Sequence, residues 1–259
     1  MWLNAADLQK FYGSPLGLTA RRMISAHVRE IWPDVSGMNA LGVGFPAPYL
    51  NAFRSEAARV LVAVPVSQDI KHLQSESIKQ ACVTGESELP FPDLSMDRIL
   101  LVHAVECAET MRPMMREIWR VLSGDGRLLV ITPNRRGIWA RLEHTPFGHG
   151  RPYTSSQLSR LLRETLFKPI GSSGALYVPP AKSRMIISSA PAWEKLGKRW
   201  FPALGGVVSV EAEKEMYAAT PLEQGARQRV YATVTDEPLV RWGRLRRKTP
   251  CSPRRFALK

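Results

Sequence analysis

Short apolar runs alternate with a helical pattern through the middle of the chain. Two runs, residues 99–102 and 127–132, are unbroken enough to indicate strands that are covered on both faces, as in a parallel sheet. Between them, apolar side chains recur at helical spacing: Met111, Met114, Met115, Ile118, Trp119 and Leu122. Thr110 is the predicted N-cap, and residues 123–126 form the predicted turn into the next strand. The pattern predicts a βαβ unit, which places its ligand at the carboxyl ends of its strands.

The same patterning predicts further elements on both sides of this unit. Strands are expected at residues 38–41, 60–64, 81–83, 167–178 and 207–216. Helices are expected at residues 4–12, 18–32 and 192–201, and the sequence Thr154-Ser-Ser-Gln157 predicts a capping box that begins another. The alternation of strands and helices is typical of an α/β protein.

Four sequence segments together resemble the class I S-adenosylmethionine (SAM)-dependent methyltransferases. They are Leu-Pro-Phe-Pro-Asp from residue 89, Met-Asp-Arg-Ile-Leu-Leu-Val-His-Ala-Val-Glu from residue 96, Arg-Glu-Ile-Trp-Arg-Val-Leu from residue 116, and Gly-Arg-Leu-Leu-Val from residue 126. The resemblance covers roughly residues 35–217. It is strongest to the small-molecule branch that includes the ubiquinone and menaquinone methylases, and within it to bacterial methyltransferase-domain proteins.

The resemblance implies a fold, a reaction and a cofactor. The expected fold is Rossmann-like: a seven-stranded, mostly parallel sheet with an antiparallel hairpin at one edge and helices on both faces. The implied activity is transfer of a methyl group from SAM to a small-molecule acceptor. Such transfer depends on alignment of the reactants and needs few catalytic side chains.

The cofactor-binding motifs of the resembled family are only partly present. Gly42 and Gly44 match its glycine turn, but Ala40 and Pro46 stand where an acid and a third glycine are expected. The acid that would hold the ribose, after the second strand, is replaced by Val64 and Pro65. Neither residue accepts a hydrogen bond through its side chain, so Ser67, Gln68 or Asp69 would have to substitute.

Seven residues are predicted to contact the cofactor through this resemblance. Gly85 stands in the family's acid position beside the adenine, and Glu86 and Ser87 follow it. The full set is Gly42, Gly44, Phe45, Glu86, Ser87, Leu89 and His103. His103, at the end of the fourth strand, and His149 are the candidates for a catalytic base. The alternative for His103 is a structural hydrogen bond to the neighbouring loop, and the alternative for Glu86 is an ordinary exposed acid.

A second group of candidate residues lies before the next helix, in residues 144–153. This segment is rich in turn formers and titratable side chains, which is typical of a loop over a pocket. His144, His149, Arg151 and Tyr153, with Arg141 just before them, are predicted to hold an anionic or phenolic acceptor. Phe11, Tyr12 and Leu16 are predicted to contact the pocket from the N-terminal helices, whose alternative role is to pack on the sheet.

The net charge of +13 is concentrated at one end of the chain. Eight of the 36 basic residues and none of the 23 acidic residues lie in residues 241–259. This basic tail is a candidate for binding an anionic partner, and a solvated tail that aids solubility is the alternative. The three cysteines, Cys82, Cys107 and Cys251, show no metal-type spacing and are expected to be reduced thiols. With no apolar stretch of transmembrane length and no signal-peptide pattern, the expected location is the cytoplasm.

The predicted organisation is an N-terminal helical cap (1–34), a methyltransferase-like domain (35–217) and a basic, partly disordered extension (218–259). Trp193 and Trp200 on the predicted helix 192–201 mark a candidate dimer or partner surface. Three functions stay open: a small-molecule methyltransferase, a methyltransferase-fold binding or scaffold protein without activity, and a nucleic-acid methyltransferase guided by the basic tail. No metal site is predicted.

Overall fold

The computed structural model describes residues 5–65, 81–181 and 183–216. Seven strands form one sheet in the order β3-β2-β1-β4-β5-β7-β6. Their bounds are β1 Asn39–Gly44, β2 Arg59–Pro65, β3 Ala81–Thr84, β4 Met96–Val102, β5 Leu122–Pro133, β6 Phe167–Ala175 and β7 Val207–Lys214. The pairs among β1 to β5 are parallel, whereas β7 runs antiparallel to both β5 and β6. The predicted Rossmann-like sheet with an antiparallel edge is confirmed.

Seven helices surround the sheet in the part of the chain that the structure describes. Their bounds are α1 Ala5–Gly13, α2 Pro15–Ile31, α3 Ala47–Leu50, α4 Met111–Val121, α5 Ser155–Glu164, α6 Arg184–Ser188 and α7 Ala190–Trp200. Short 3-10 turns lie at Asn51–Phe53, Trp139–Arg141, Pro146–Gly148 and Pro202–Leu204. The predicted capping box of α5 is confirmed, because Thr154 and Gln157 each accept a hydrogen bond from the other's backbone N–H.

The apolar strands bury both faces of the sheet, as their unbroken hydrophobic runs predict. On one face, Leu100 and Val102 of β4 pack in a cluster with α1 and α2, which includes Leu8 and Ile24. On the other face, Leu101 packs with α4 and α5. Each layer is fully buried at its centre. Helices α1 and α2 therefore belong to the hydrophobic core and lie on the face of the sheet opposite α4.

Two local expectations differ from the structure. Residues 123–126 do not form a turn, because β5 begins at Leu122, which pairs with Met96 ahead of a register shift in β4. The helix after the glycine turn is only four residues long, Ala47–Leu50, and continues as a 3-10 turn. The start of this helix contains Pro46 and Pro48, which have no N–H group to offer a ligand, and the N–H groups of Tyr49 and Leu50 donate to the Pro46 carbonyl.

Several predictions fall outside the described residues. These are the substitute ribose contacts at Ser67, Gln68 and Asp69, and the basic extension 218–259 with its proposed anionic partner. Among the helices described, none has the length and apolarity to cross a bilayer. No cluster of potential metal ligands occurs among the residues that the structure describes.

Candidate functional site

The glycine turn lies at the carboxyl end of β1, and both of its glycines are needed by the fold itself. Gly44 has a positive φ of 89°, and a Cβ there would lie 2.4 Å from the Val102 carbonyl oxygen of β4. A Cβ on Gly42 would lie 2.3 Å from the Pro46 side chain. The next N–H, of Phe45, donates to the Val102 carbonyl at 2.8 Å. The turn is therefore fastened to β4, beside the position where His103 leaves the sheet.

Tyr12, at the end of α1, lies directly against this turn. Its ring stacks on the Phe45 ring, with centroids 5.4 Å apart and an interplanar angle of 18°. Phe11 and Tyr49 meet the Tyr12 ring edge-on, at 5.2 and 6.0 Å. Tyr12 and Phe45 are both buried. Helix α1 thus places an aromatic ring of the chain itself over the residue that follows the glycine turn.

A buried chain of hydrogen bonds runs from Tyr49 to Glu106. The Tyr49 hydroxyl donates to the Tyr12 hydroxyl at 2.6 Å, and the Tyr12 hydroxyl lies 2.8 Å from Nε2 of His103. On its other side, Nδ1 of His103 lies 3.1 Å from Oε1 of Glu106. Since Tyr49 donates to Tyr12, the consistent arrangement has Tyr12 donating to a neutral His103 and Nδ1–H donating to Glu106. The geometry therefore assigns His103 the Nδ1–H tautomer.

The backbone at His103 adopts a conformation that side chains other than glycine rarely take. Its φ is 53°, in the left-handed region. Such strain costs about 1–3 kcal/mol and persists only where the surroundings hold it. Here the hydrogen bonds to Tyr12 and Glu106, and the Phe147 ring 5.2 Å away, hold the imidazole. Strained residues of this kind are concentrated at functional sites.

The two tyrosines of this hydrogen-bond chain, Tyr12 and Tyr49, are uncharged at neutral pH. Burial raises the pKa of Tyr12 well above its ordinary value, and the neighbouring Tyr49 raises it further. Burial also raises the pKa of Tyr49. Both phenols therefore keep their protons at neutral pH and act as hydrogen-bond donors.

A cleft of about 1290 Å³ opens beside this buried chain. It is bounded by α1, by the segment after β4, by the 3-10 turn Pro146–Gly148 with its flanking loop, and by Ile187 of α6. Its lining residues with ionisable side chains are Asp7, Lys10, Glu106, Glu109, Glu143, His144, His149 and Arg151. Carboxylates outnumber permanent cations in this set. Of the residues in the buried chain, only Glu106 also lines the cleft, and its Oε2 has no hydrogen-bond partner among the described residues.

The predicted acceptor-binding residues are divided by the structure. His144, His149 and Arg151 line the cleft with exposed side chains, and Phe11 and Leu16 line it from the helices. Arg141 and Tyr153 are absent from the lining. Tyr153 is half-buried and packs on the core cluster that includes α4. Of the two predicted arginines, only Arg151 lines the cleft, so the described residues do not form a site in which two arginines bind the acceptor.

Glu86, which follows β3, makes hydrogen bonds to the start of α4. Its Oε2 accepts hydrogen bonds from the N–H groups of Glu109 and Thr110, at 3.1 Å each, and from the Thr110 hydroxyl at 3.3 Å. It therefore caps the start of α4, where a carboxylate also complements the helix dipole. Thr110 itself makes no side-chain capping bond to the helix. Of the other predicted contacts, Ser87 is exposed and Leu89 is buried in the core.

In the described arrangement these residues do not fit the amino-acid end of SAM. The place beside the glycine turn is taken by the Tyr12 ring, and the buried Ala40 supplies no carboxylate there. The end of β2 offers only Val64 and Pro65, both buried. The Tyr12 ring lies over Phe45, so a ligand that binds against this residue would require the ring to withdraw.

Sequence reasoning overlooked part of the buried chain. Tyr49 and Phe147 were not among the predicted site residues, although both contact it. Glu106 is the last residue of the segment from residue 96 that resembles the family. Its spacing of three residues from His103 was the available signal, because a tight turn after a strand brings such positions together.

Comparison with known proteins agrees with the fold. Residues 40–130 match the family model described as "Methyltransferase domain". The chain is 28% identical over 203 residues to a probable S-adenosylmethionine-dependent methyltransferase of Mycobacterium tuberculosis (strain ATCC 25618 / H37Rv), covering 74% of each protein.

Two solved structures illustrate the likeness in fold. A possible histamine N-methyltransferase from Thermotoga maritima has a TM-score of 0.57 at 14% identity, covering 80% of this chain and 93% of that one. A SAM-dependent methyltransferase from Archaeoglobus fulgidus has a TM-score of 0.57 at 16% identity, covering 80% and 97%.

Proposed function

Its domain and its fold place the chain among the class I SAM-dependent methyltransferases, and from this premise we propose that it methylates a hydroxyl-bearing small molecule bound in the cleft. SAM, when bound, supplies an activated methyl group on a positively charged sulfur. The chain's own contribution is to position the acceptor and to manage its proton. The observation that carries the proposal is the Tyr12 hydroxyl held 2.8 Å from Nε2 of His103, in a buried hydrogen-bond chain whose last residue, Glu106, belongs to the wall of the cleft.

The hydroxyl of Tyr12 supports a hydroxyl acceptor. It is an O–H group held 2.8 Å from Nε2 of His103, on the face where β1 and β4 end. If Tyr12 withdraws, Nε2 loses its donor while Glu106 still holds Nδ1. An acceptor O–H would restore the lost hydrogen bond, and the imidazole would be placed to take its proton. His103 is thus our candidate base and Glu106 its positioning residue, a His–carboxylate pair of the kind that orients bases.

The charge of the cleft favours a neutral or cationic acceptor. Three exposed carboxylates (Asp7, Glu109 and Glu143) line it against the permanent cations of Lys10 and Arg151, and the buried carboxylate of Glu106 lies behind its wall. An anionic acceptor would meet this excess of like charge in a partly enclosed space. His149 is exposed on the cleft wall, and we assign it a role in acceptor contact.

We propose that α1 is a lid with two positions. In the described position, Tyr12 covers the glycine turn and holds His103. In the other, Phe45 and the adjoining turn at Gly44 would be uncovered for the cofactor, while Ser87 is exposed in either position. Because SAM would bind only to the open state, its apparent affinity equals its affinity for the open state multiplied by the fraction of molecules that are open.

Calorimetric titration with SAM and with S-adenosylhomocysteine tests the cofactor part of this function. We expect binding with a dissociation constant in the micromolar range or weaker. The acceptor part is tested by release of S-adenosylhomocysteine from a panel of neutral alcohols and phenols, each compared with its methyl ether. Turnover of an alcohol or phenol but not of its ether supports a hydroxyl acceptor, whereas turnover confined to amines or acids contradicts it.

A second candidate is a binding protein without methyl-transfer activity. Tyr12 over the turn, together with Ala40 and Val64 in place of acids, favours it. The Tyr12→Ala variant separates the two candidates, because it removes the ring from the turn. No heat with millimolar SAM in either the wild type or this variant would support the binding protein and exclude the enzyme.

A further inference from the structure

Helix α7 turns an apolar face to solvent. Trp193, Leu196 and Trp200 are 40, 51 and 65% exposed, and their spacing of three and four residues places them on one side of the helix. We name these three residues the aromatic face. Phe201 and Leu204, 56 and 52% exposed, continue the apolar character beyond the end of the helix. Large apolar side chains gathered in this way mark an interaction surface.

The opposite side of α7 packs on the rest of the protein. The aromatic face is therefore not the side of the helix that belongs in the hydrophobic core. Glu194 is buried and accepts hydrogen bonds from the N–H groups of Leu176 and Tyr177, at 3.0 and 2.9 Å. Gly197 packs so closely on the Tyr177 ring that a Cβ there would lie 2.3 Å from it. These contacts determine the rotation of α7 and leave the tryptophans outside.

The exposed charged side chains on α6 and α7 themselves are all basic. Arg184, Lys195 and Arg199 are exposed, and no ion pair involves them among the described residues. Lys198 is half-buried and pairs with Glu30 at 2.7 Å. The one acid of residues 183–204 is Glu194, whose carboxylate is turned inward. Tryptophans flanked by unpaired basic side chains are typical of helices that lie in the interface of a membrane.

The position of this segment connects it to the cleft. Helix α6 precedes α7 directly, and its Ile187 lines the cleft while its Met185 is 79% exposed. Helix α6 thus contributes to the wall of the cleft and is followed directly by the helix that carries the aromatic face.

We propose that α7 docks the protein on the surface of an anionic lipid bilayer. Trp193 and Trp200 would lie at headgroup depth, with Arg184, Lys195 and Arg199 against the lipid phosphates. A second copy of this chain fits the surface less well, because a two-fold contact would bring these basic residues toward their own equivalents. A consequence, which rests on the proposed function, is that the acceptor is an amphiphile supplied by the membrane.

Cosedimentation of the full-length protein with vesicles tests the docking. We expect the bound fraction to rise with the phosphatidylglycerol content of phosphatidylcholine vesicles and to fall with added salt. Two variants should each reduce the partition coefficient about tenfold or more: Trp193→Ser with Trp200→Ser, and Arg184→Glu with Lys195→Glu and Arg199→Glu. Thermal melts of each variant establish that it is folded.

Matched controls separate docking from general effects. Ile170→Ser removes an apolar side chain that is 44% exposed on β6, and Arg112→Glu with Arg116→Glu and Arg163→Glu makes the same charge change on α4 and α5. Both should bind vesicles like the wild type. Replacement of Arg244, Arg246 and Arg247 by Ser measures what the basic tail adds.

Three outcomes would overturn the proposal. They are equal binding to pure phosphatidylcholine, undiminished binding by the α7 variants, or binding lost only with the tail substitutions. A dimer in sedimentation velocity that dissociates in the double-tryptophan variant would instead assign the aromatic face to a second copy. None of these readouts depends on SAM, so they are independent of the titration that tests the proposed function.

Discussion

The hydroxyl of Tyr12 lies 2.8 Å from Nε2 of His103, so a side chain of α1 holds the residue that follows β4. The two residues are 91 positions apart in sequence, and both are buried. Tyr12 also stacks on Phe45, so one side chain of α1 contacts both the residue after the glycine turn and the residue after β4. It makes the position of α1 and the state of the site interdependent.

Removing Tyr12 should therefore strengthen cofactor binding. Tyr12→Phe deletes one hydroxyl from the closed state, worth about 1 kcal/mol, and should tighten SAM binding about fivefold. Tyr12→Ala deletes the ring as well and should tighten it about tenfold or more. Calorimetric titration measures both dissociation constants. Tyr177→Phe, which removes the hydroxyl that donates to Pro202, is the matched control and should leave the affinity unchanged. Weaker binding by the Tyr12 variants would show instead that this side chain helps to hold the cofactor.

Gly44 should be more sensitive to substitution than another glycine of similar backbone conformation. Gly44→Ala brings a Cβ to 2.4 Å from the Val102 carbonyl oxygen in addition to the strain of a positive φ, and should cost about 3 kcal/mol or more. Gly37 has a φ of 73° and open space around it, so Gly37→Ala should cost only about 1 kcal/mol. Urea denaturation gives both free energies of unfolding. Equal costs would mean that the contact with β4 relaxes freely.

Glu86 should matter for stability through the cap of α4. Glu86→Ala leaves two N–H groups and one hydroxyl without their acceptor, and we expect a loss of about 1–2 kcal/mol in the free energy of unfolding. Glu88→Ala, at an exposed position two residues along, is the control and should have little effect. We also expect SAM affinity to change less than about twofold in Glu86→Ala if capping is its whole role. A large loss of affinity at unchanged stability would return Glu86 to the cofactor site.

His27 should make the fold sensitive to mild acid. Its Nε2 lies 2.8 Å from the Ser209 hydroxyl, between α2 and the antiparallel strands. Burial, followed by the charge of Lys198, lowers its pKa below 6.5, and the nearby Glu30 opposes this only in part. The unfolded chain therefore binds a proton more readily, and stability should decline as pH falls below about 6.5.

Denaturation midpoints at pH 7.5, 6.5 and 5.5 measure this decline. His27→Gln should reduce the dependence on pH between 7.5 and 5.5, since the titrating group is gone. His144→Gln, at an exposed position, should leave it as in the wild type. An unchanged slope in His27→Gln would mean that other groups cause the decline.

The strands of this fold were readable from sequence because their apolar runs are local signals. Residues 99–102 and 127–132 gave β4 and β5, and the Thr154 capping box gave the start of α5. The site is harder to predict from the sequence, since it is assembled from segments that are far apart along the chain. Nothing near Tyr49 indicates that its hydroxyl meets Tyr12, and nothing near Glu86 indicates that it caps a helix more than 20 residues away. The glycines at 42 and 44 matched a ligand-binding motif, whereas packing alone already requires them.

The corner between α1 and α2 sets how the lid can open. Ser14 accepts a hydrogen bond from the Gly17 N–H and donates its hydroxyl to the Phe11 carbonyl, and Gly17 has no room for a Cβ against that carbonyl. The first turn of α2 must therefore loosen before Tyr12 can swing away. If this opening is slow and precedes the first turnover, progress curves would begin with a lag that preincubation with cofactor abolishes.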